Sequence, residues 1–394
     1  KTFSALRDPS YRRYGTGALA SNAGTWMHRI AQSWLVLEIT GDARMLGFVV
    51  AAQFAPMLFL APWAGVLADR YDRRRLLQLT QIGMGLQALA LGLLTLSGHA
   101  NGALVLVFAA ILGVVTALDG PARQSIVSDL VPSDQVVNAV ALNSANFNAA
   151  RLVGPAIAGL MIAAWGPGWV FLVNAATFAV MYLALTRIHL THREGSRRAG
   201  GLRDGLRYVR ARPDLWFVIA TAGAVAMLVF NFPITIALMV SNEFAADARS
   251  YGILASLMAV GSLAAALIQA RRGRTDLKLV AVAAVAAGGA VILAGLMPTV
   301  PTFAAALVAC GAAALTMMTG ANSYLQTHTD AEHRSRVMAL YMAVFFGTTP
   351  AGAPLIGMLA DDFGPRAAMV LPGAASLVVT AGLVAAFVWA RRRA

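Results

Sequence analysis

Charge is scarce in this chain. Of its 394 residues, 12% are Asp, Glu, Lys or Arg and 58% are hydrophobic, whereas soluble domains carry about 25% charged residues. That shortage excludes an ordinary soluble domain. Strands of about ten alternating residues, the mark of a membrane barrel, are missing too. The single cysteine, Cys310, sits in an apolar run; it excludes an internal disulfide and reads as a small packing residue. There is no G-x-x-x-x-G-K-S/T loop, so the chain does not hydrolyse ATP through a P-loop. It has no HExxH, no paired catalytic carboxylates and no Cys/His metal spacing. Neither an enzyme nor a bound metal or cofactor is expected.

What is there is a series of apolar runs. The hydrocarbon core takes about 20 residues of helix, and runs of that order lie at roughly 14–37, 45–68, 76–97, 102–122, 136–163, 168–188, 214–240, 249–271, 277–298, 302–323, 336–360 and 366–390. The fold class is therefore an all-α polytopic membrane protein with twelve transmembrane helices. The net charge of +13 could suggest nucleic acid, but its placement argues otherwise. Of the 31 Lys and Arg, Arg44, Arg249 and Arg366 lie on one face and Arg29 and Arg151 fall inside spans; the others, from Lys1 and Arg7 to Arg391–Arg393, lie on the opposite face. This is the positive-inside pattern. Both termini are expected on the cytoplasmic side of a bacterial inner membrane, with the lipid bilayer and not nucleic acid as the large partner. The charged stretch Lys1–Arg13 runs into a full span, so no cleavable signal peptide is expected.

The longest polar stretch, Thr191–Pro213, separates six runs from six. Its Leu202, Leu206 and Val209 share one helical face and Arg203, Arg207 and Arg210 another, which suits a short helix lying on the leaflet; a solvated basic linker is the alternative. The expected division is 1–188, a linker 189–213, and 214–394. Gly154, Gly159, Gly166 and Pro167 recur as Gly352, Gly357, Gly364 and Pro365, each pair 198 residues apart. Two parallel six-helix bundles related by an axis along the membrane normal are a transporter architecture, with a small-molecule site near mid-membrane.

The turn between spans two and three reads Gly65-Val66-Leu67-Ala68-Asp69-Arg70-Tyr71-Asp72-Arg73-Arg74-Arg75. It resembles the signature of the major facilitator superfamily at that loop, with Asp72 where a glycine is usual. Further phrases are similar to the drug- and siderophore-exporter branch, which includes the enterobactin exporter and macrolide-efflux proteins: Leu6-Arg7-Asp8-Pro9, Trp26-Met27, Trp34-Leu35-Val36, Gly120-Pro121-Ala122-Arg123-Gln124 and Arg151-Leu152-Val153-Gly154-Pro155. The likeness is dense in the first half and sparse in the second. It implies that Asp69 faces the N-terminal end of helix eleven, where a carboxylate meets the positive end of a helix dipole. It also implies that the basic residues of the turn pair with an acid at the end of helix four, a place that Asp119 occupies. Gly65, Asp69, Arg70, Arg73 and Asp119 are thus expected to form a cytoplasmic gating latch; the alternative is that Arg73–Arg75 only set topology. Gly154-Pro155-x-x-x-Gly159 resembles the helix-five motif of antiporters and serves close helix packing, as Gly352 and Gly357 would in the second half.

Arg29 and Arg151 are the sharpest individual signals. Each lies about 22 Å along its helix from the cytoplasmic start, at 1.5 Å per residue, and an intramembrane charge usually lines a cavity. Two guanidinium groups at one depth suit a carboxylate-bearing substrate; the alternative is structural arginines bonded to helix carbonyls and to Asn146 or Asn148. Asn22, Asn143, Asn146, Asn231, Tyr341 and Phe345 complete the expected substrate cavity. The expected activity is secondary transport, export of a small amphipathic or anionic compound such as a drug, siderophore or lipid-like metabolite, by a monomer. Import or uniport on the same fold is the alternative. Proton coupling is the branch's usual mode, yet the spans hold almost no free carboxylate, which leaves His28, Asp119 or the substrate itself to carry the proton.

Overall fold

A computed structural model describes residues 4–188, 190, 202–272, 275–330 and 332–393. All regular structure among these residues is helical. In chain order the helices are α1 Pro9–Thr40, α2 Ala43–Arg70, α3 Arg73–Leu96, α4 Gly102–Asp129, α5 Val136–Trp165, α6 Pro167–Thr186 and α7 Leu202–Arg210. They continue as α8 Pro213–Leu228, α9 Phe232–Leu238, α10 Ala248–Arg272, α11 Leu277–Gly295, α12 Val300–His328, α13 Arg334–Phe363 and α14 Ala367–Arg393. Among the described residues, eleven segments are long and apolar enough to cross a membrane. The twelfth is α1, long enough at 32 residues but more polar, because Ser21, His28, Gln32 and Ser33 are buried in it. A helix that hides polar residues inside a bundle need not be uniformly apolar.

The seventh expected span, 214–240, is not one helix. α8 stops at Leu228 and α9 resumes at Phe232, followed by a π-helical turn over Met239–Glu243. Pro233 has no N–H to give to the carbonyl four residues back and its ring crowds that position. Asn231 covers part of the gap, its Nδ2 donating to the Met227 carbonyl at 2.7 Å.

The chain forms two units. One comprises Lys1–Gly41, Ala52–Ser196 and Asp247–Ser256; the other comprises Asp42–Ala51, Arg197–Ala246 and Leu257–Ala394. The division thus differs from a cut at the linker alone: the first turns of α2 and of α10 each belong with the other six-helix set. Within the first unit, α6 packs on α1 and α3, α5 on α1, and α4 on α3. Within the second, α14 packs on α8 and α11, α13 on α8, and α12 on α11. The same neighbour scheme is therefore used twice.

The glycines 198 residues apart do matching work. Gly166 and Gly364 end α5 and α13 with φ of 85° and 89°, a region that favours residues without a Cβ. Close approach explains the others. A Cβ on Gly154 would fall 2.9 Å from Trp26 Cβ of α1, and one on Gly159 would fall 3.0 Å from Gly252 Cα of α10. Gly352 meets the Met227 carbonyl of α8, and Gly357 meets Ala43 and Arg44 of α2. Pro155 lies between the two glycines of α5, inside the helix. Gly159→Leu or Gly352→Leu should cost about 2 kcal/mol or more through overpacking, read as a lowered melting temperature in detergent. Gly382→Ala, where a Cβ meets nothing within 4 Å, should leave it unchanged.

Candidate functional site

The first unit holds the two intramembrane arginines. The Arg29 guanidinium lies 5.1 Å from the centre of the Trp26 ring and 5.4 Å from that of Phe54. Arg151 lies 5.7 Å from the same Trp26 ring, and Phe147 meets Trp26 edge-on at 5.9 Å. The close passage of α5 over α1 at Gly154 sets this meeting: Trp26 sits one turn from Arg29 on α1, and Arg151 sits one turn before Gly154 on α5. Aromatic faces attract a cation by about 0.5–2 kcal/mol, less than the several kcal/mol needed to desolvate it. Among the described residues, neither arginine forms an ion pair with a carboxylate. Arg29 Nε is buried without an acceptor, and so is Gln32 Nε2 on the next turn. The result is a cluster of donors lacking an anion.

The other expected polar residues divide. Asn146 is half-buried and its Nδ2 donates to the Gly15 carbonyl of α1 at 2.7 Å, which makes it a tie between helices; Asn22 and Asn143 are half-buried on α1 and α5. His28 is fully buried, with Nδ1 3.2 Å from Asn174 Nδ2 and its ring 4.8 Å from Phe171. The α1–α6 packing encloses it.

The latch pairing is also corrected. Arg73 Nη1 donates to Asp129 Oδ2 at 2.5 Å, at the last residue of α4, and not to Asp119. Asp119 lies nearly three turns deeper. It accepts from Thr80 Oγ1 at 2.7 Å, Gln81 Nε2 at 2.9 Å and Arg123 Nε at 2.6 Å. The reason is depth: Arg73 starts α3 and Asp129 ends α4, so both stand at the same end. The i,i+4 spacing of Asp119 and Arg123 was the signal for the inner pair. Arg70 is exposed; the surroundings of Gly65 and Asp69 in α2 lie outside the described residues. Asp72, the departure from the family pattern, caps α3 by accepting from Arg75 N–H at 2.9 Å, a standard N-cap role. Arg74 covers the carbonyls of Thr186 and Ile188 beyond the end of α6.

A carboxylate on a helix N-terminus, the device expected of Asp69, occurs in the second unit at the opposite end of α2. Asp361 of α13 accepts from the Ala43 and Arg44 N–H groups, both at 3.0 Å. Arg44 also pairs with Asp361 and Asp362. Asp42 caps the same helix. Burial raises its carboxyl, but hydrogen bonds from the Met45 and Arg44 N–H groups and the charge of Arg44 outweigh that and hold it below the ordinary carboxylate range.

The second unit also contains a cavity of about 400 Å³. α12 supplies Met318, Thr319, Asn322 and Gln326, and α13 supplies Tyr341 and Phe345. Gln326 Nε2 donates to Asn322 Oδ1 at 2.6 Å, and Tyr341 OH donates to the Met318 carbonyl at 3.3 Å. The lining carries no charge. Tyr341 and Phe345 both line this cavity, whereas Asn231 lies outside its lining, at the break between α8 and α9.

An all-helical bundle of membrane-spanning segments, built twice on one neighbour scheme, is the architecture of a multi-pass membrane transporter. A family model described as transmembrane secretion effector matches residues 1–392, and the chain belongs to this family of the major facilitator superfamily. It is 25% identical over 365 residues to the staphyloferrin A transporter of Staphylococcus aureus, covering 91% of each chain. It is 27% identical over 395 residues to the multidrug efflux pump Tap of Mycobacterium tuberculosis, covering 93% of this chain and 90% of that one. Its fold is similar to that of a bacterial homologue of the human lysosomal transporter Spinster, solved inward-facing and unoccupied, with a TM-score of 0.78, 17% identity and 97% of each chain covered.

The Arg73–Asp129 pair is largely buried, and removing one partner of such a pair costs about 3 kcal/mol or more. Arg73→Ala should lower the melting temperature of the purified protein. The exchange Arg73→Asp with Asp129→Arg should recover most of that loss; no recovery would show that the two do not act as a pair.

Proposed function

We propose that this chain exports a small amphipathic compound carrying a carboxylate or similar anionic group, from the bacterial cytoplasm across the inner membrane, by alternating access. The observation that carries this reading is the pair of guanidinium groups on one indole, Arg29 and Arg151 on Trp26, with no carboxylate paired to either among the described residues. A guanidinium binds a carboxylate through two parallel hydrogen bonds, and each bond to a charged group is worth about 1.5–3 kcal/mol. The efflux name of one relative supports export over import. In this reading the protein works as a monomer with both termini in the cytoplasm, where Gly65, Asp69, Arg70, Arg73 and Asp129 form the latch, and Asp119 with Arg123 stiffens the helices behind it.

Arg29→Gln and Arg151→Gln should each weaken binding of a carboxylate about tenfold or more, on the energies above, while the matching carboxamide loses less than about twofold. Equal losses for the two ligands, measured by competition on purified protein, would make the arginines structural. Cells expressing the protein should retain less labelled carboxylate than empty-vector cells; greater retention would reverse the direction. Asp69→Asn should slow the transport cycle without reducing the amount of inserted protein.

A further inference from the structure

The turn of α1 that carries Trp26 is held from two sides. A Cβ on Gly24 would collide with Asn174 and Thr177 of α6. One on Gly154 of α5 would fall 2.9 Å from Trp26 Cβ and 3.0 Å from the Ala23 carbonyl oxygen. Helices packed this closely leave α1 little room to slide or rotate. The indole is therefore a fixed spacer.

Its two cations come from different helices. Arg29 lies against both the indole and Phe54 of α2, 5.1 Å and 5.4 Å from the ring centres. Arg151 reaches the indole from α5 at 5.7 Å, one turn after Phe147, which meets the same ring edge-on. Each guanidinium thus has its own aromatic flank, α2 for Arg29 and α5 for Arg151. Trp26, Arg29, Phe54 and Arg151 are half-buried and Phe147 is exposed, so a ligand can reach the group. Arg29 Nε and Gln32 Nε2, one turn apart, are buried with no acceptor among the described residues. Asp69 stands fifteen residues beyond Phe54 on α2, about 22 Å along the helix, so its place on that helix is remote from the indole.

Charge inside hydrocarbon has to be matched. A ligand with one anionic group completes its two-bond fork with one of these guanidinium groups and leaves the other cation uncompensated. A ligand with two anionic groups, set apart by the breadth of the indole, satisfies both. We infer that this site selects compounds bearing two separate anionic groups on one rigid, largely aromatic skeleton, and that Trp26 is the positioning residue that sets their spacing. This rests on the anionic-substrate reading above and narrows its substrate class to dianions. A fixed spacing favours a rigid ligand, because neither partner then loses much freedom on binding.

The test measures binding by isothermal titration calorimetry on the full chain in detergent, at physiological salt, where surface charge is screened. The probes are naphthalene-2-sulfonate, naphthalene-2,6-disulfonate and inorganic sulfate, which hold their charge across the working range. The expected result is disulfonate binding about tenfold or more tighter than monosulfonate, with sulfate weaker than both. Arg29→Gln and Arg151→Gln should each bring the disulfonate down to the wild-type affinity for monosulfonate. Trp26→Leu, which keeps the Cβ packed at Gly154, should lower disulfonate affinity far more than monosulfonate affinity; equal losses would make Trp26 structural and overturn its assignment. Equal binding of the two sulfonates to wild type, or no binding of the disulfonate, overturns the inference; where both sulfonates still weaken in the arginine variants, the anionic-substrate reading stands without it. Sulfate binding as tightly as disulfonate assigns both arginines to a single group and overturns the inference likewise. Sulfonate affinities unmoved in the Arg29→Gln, Arg151→Gln double variant overturn that reading, and the inference with it.

Discussion

Inside hydrocarbon, a polar group without a partner costs several kcal/mol, and most of this structure is an answer to that cost. Asp119 collects Thr80, Gln81 and Arg123. Asn146 is tied to the Gly15 carbonyl, and Asn174 meets His28. Against this background of pairing, Arg29 and Arg151 stand out, because both lie against aromatic faces and Arg29 Nε has no acceptor among the described residues. Among the described residues the other deep charge is paired, and these two cations are without a carboxylate.

The two units share a plan and differ in chemistry. Both bring two helices onto a third through glycines at matching positions, and both end that helix with a glycine at φ near 85–90°. One repeat places cations at its centre; the other breaks its first helix at Asn231 and lines a cavity with Tyr341, Phe345, Met318 and Asn322. Duplication of the scaffold conserves packing because close backbone approach tolerates little beyond glycine at those crossings. Side chains that do not sit at a crossing are free to diverge.

Much of the charged turn is structural in a way its sequence conceals. Asp72, Arg73 and Arg74 each satisfy a specific backbone or side-chain group at a helix end. A run of arginines marks orientation by its count alone, yet here neighbouring arginines go to different partners: an acid for Arg73, helix-end carbonyls for Arg74. The count is a property of composition, and the partners follow from the rotation of one helix end relative to the next.

The apolar runs, the repeat at 198 residues and the superfamily signature were legible from the sequence alone, because hydrophobic length, glycine spacing and a motif are all properties of the chain taken in one dimension. The expected span of residues 214–240 missed its interruption, although Asn231 and Pro233 were there to signal it. Whether Arg73 meets Asp119 or Asp129, whether His28 faces a pathway or a neighbouring helix, and which helix end Asp361 caps were decided by tertiary structure. Each depends on how far a helix is turned about its own axis and how deep it sits beside its neighbours. A residue's number fixes its place along one helix and says nothing of what lies across from it.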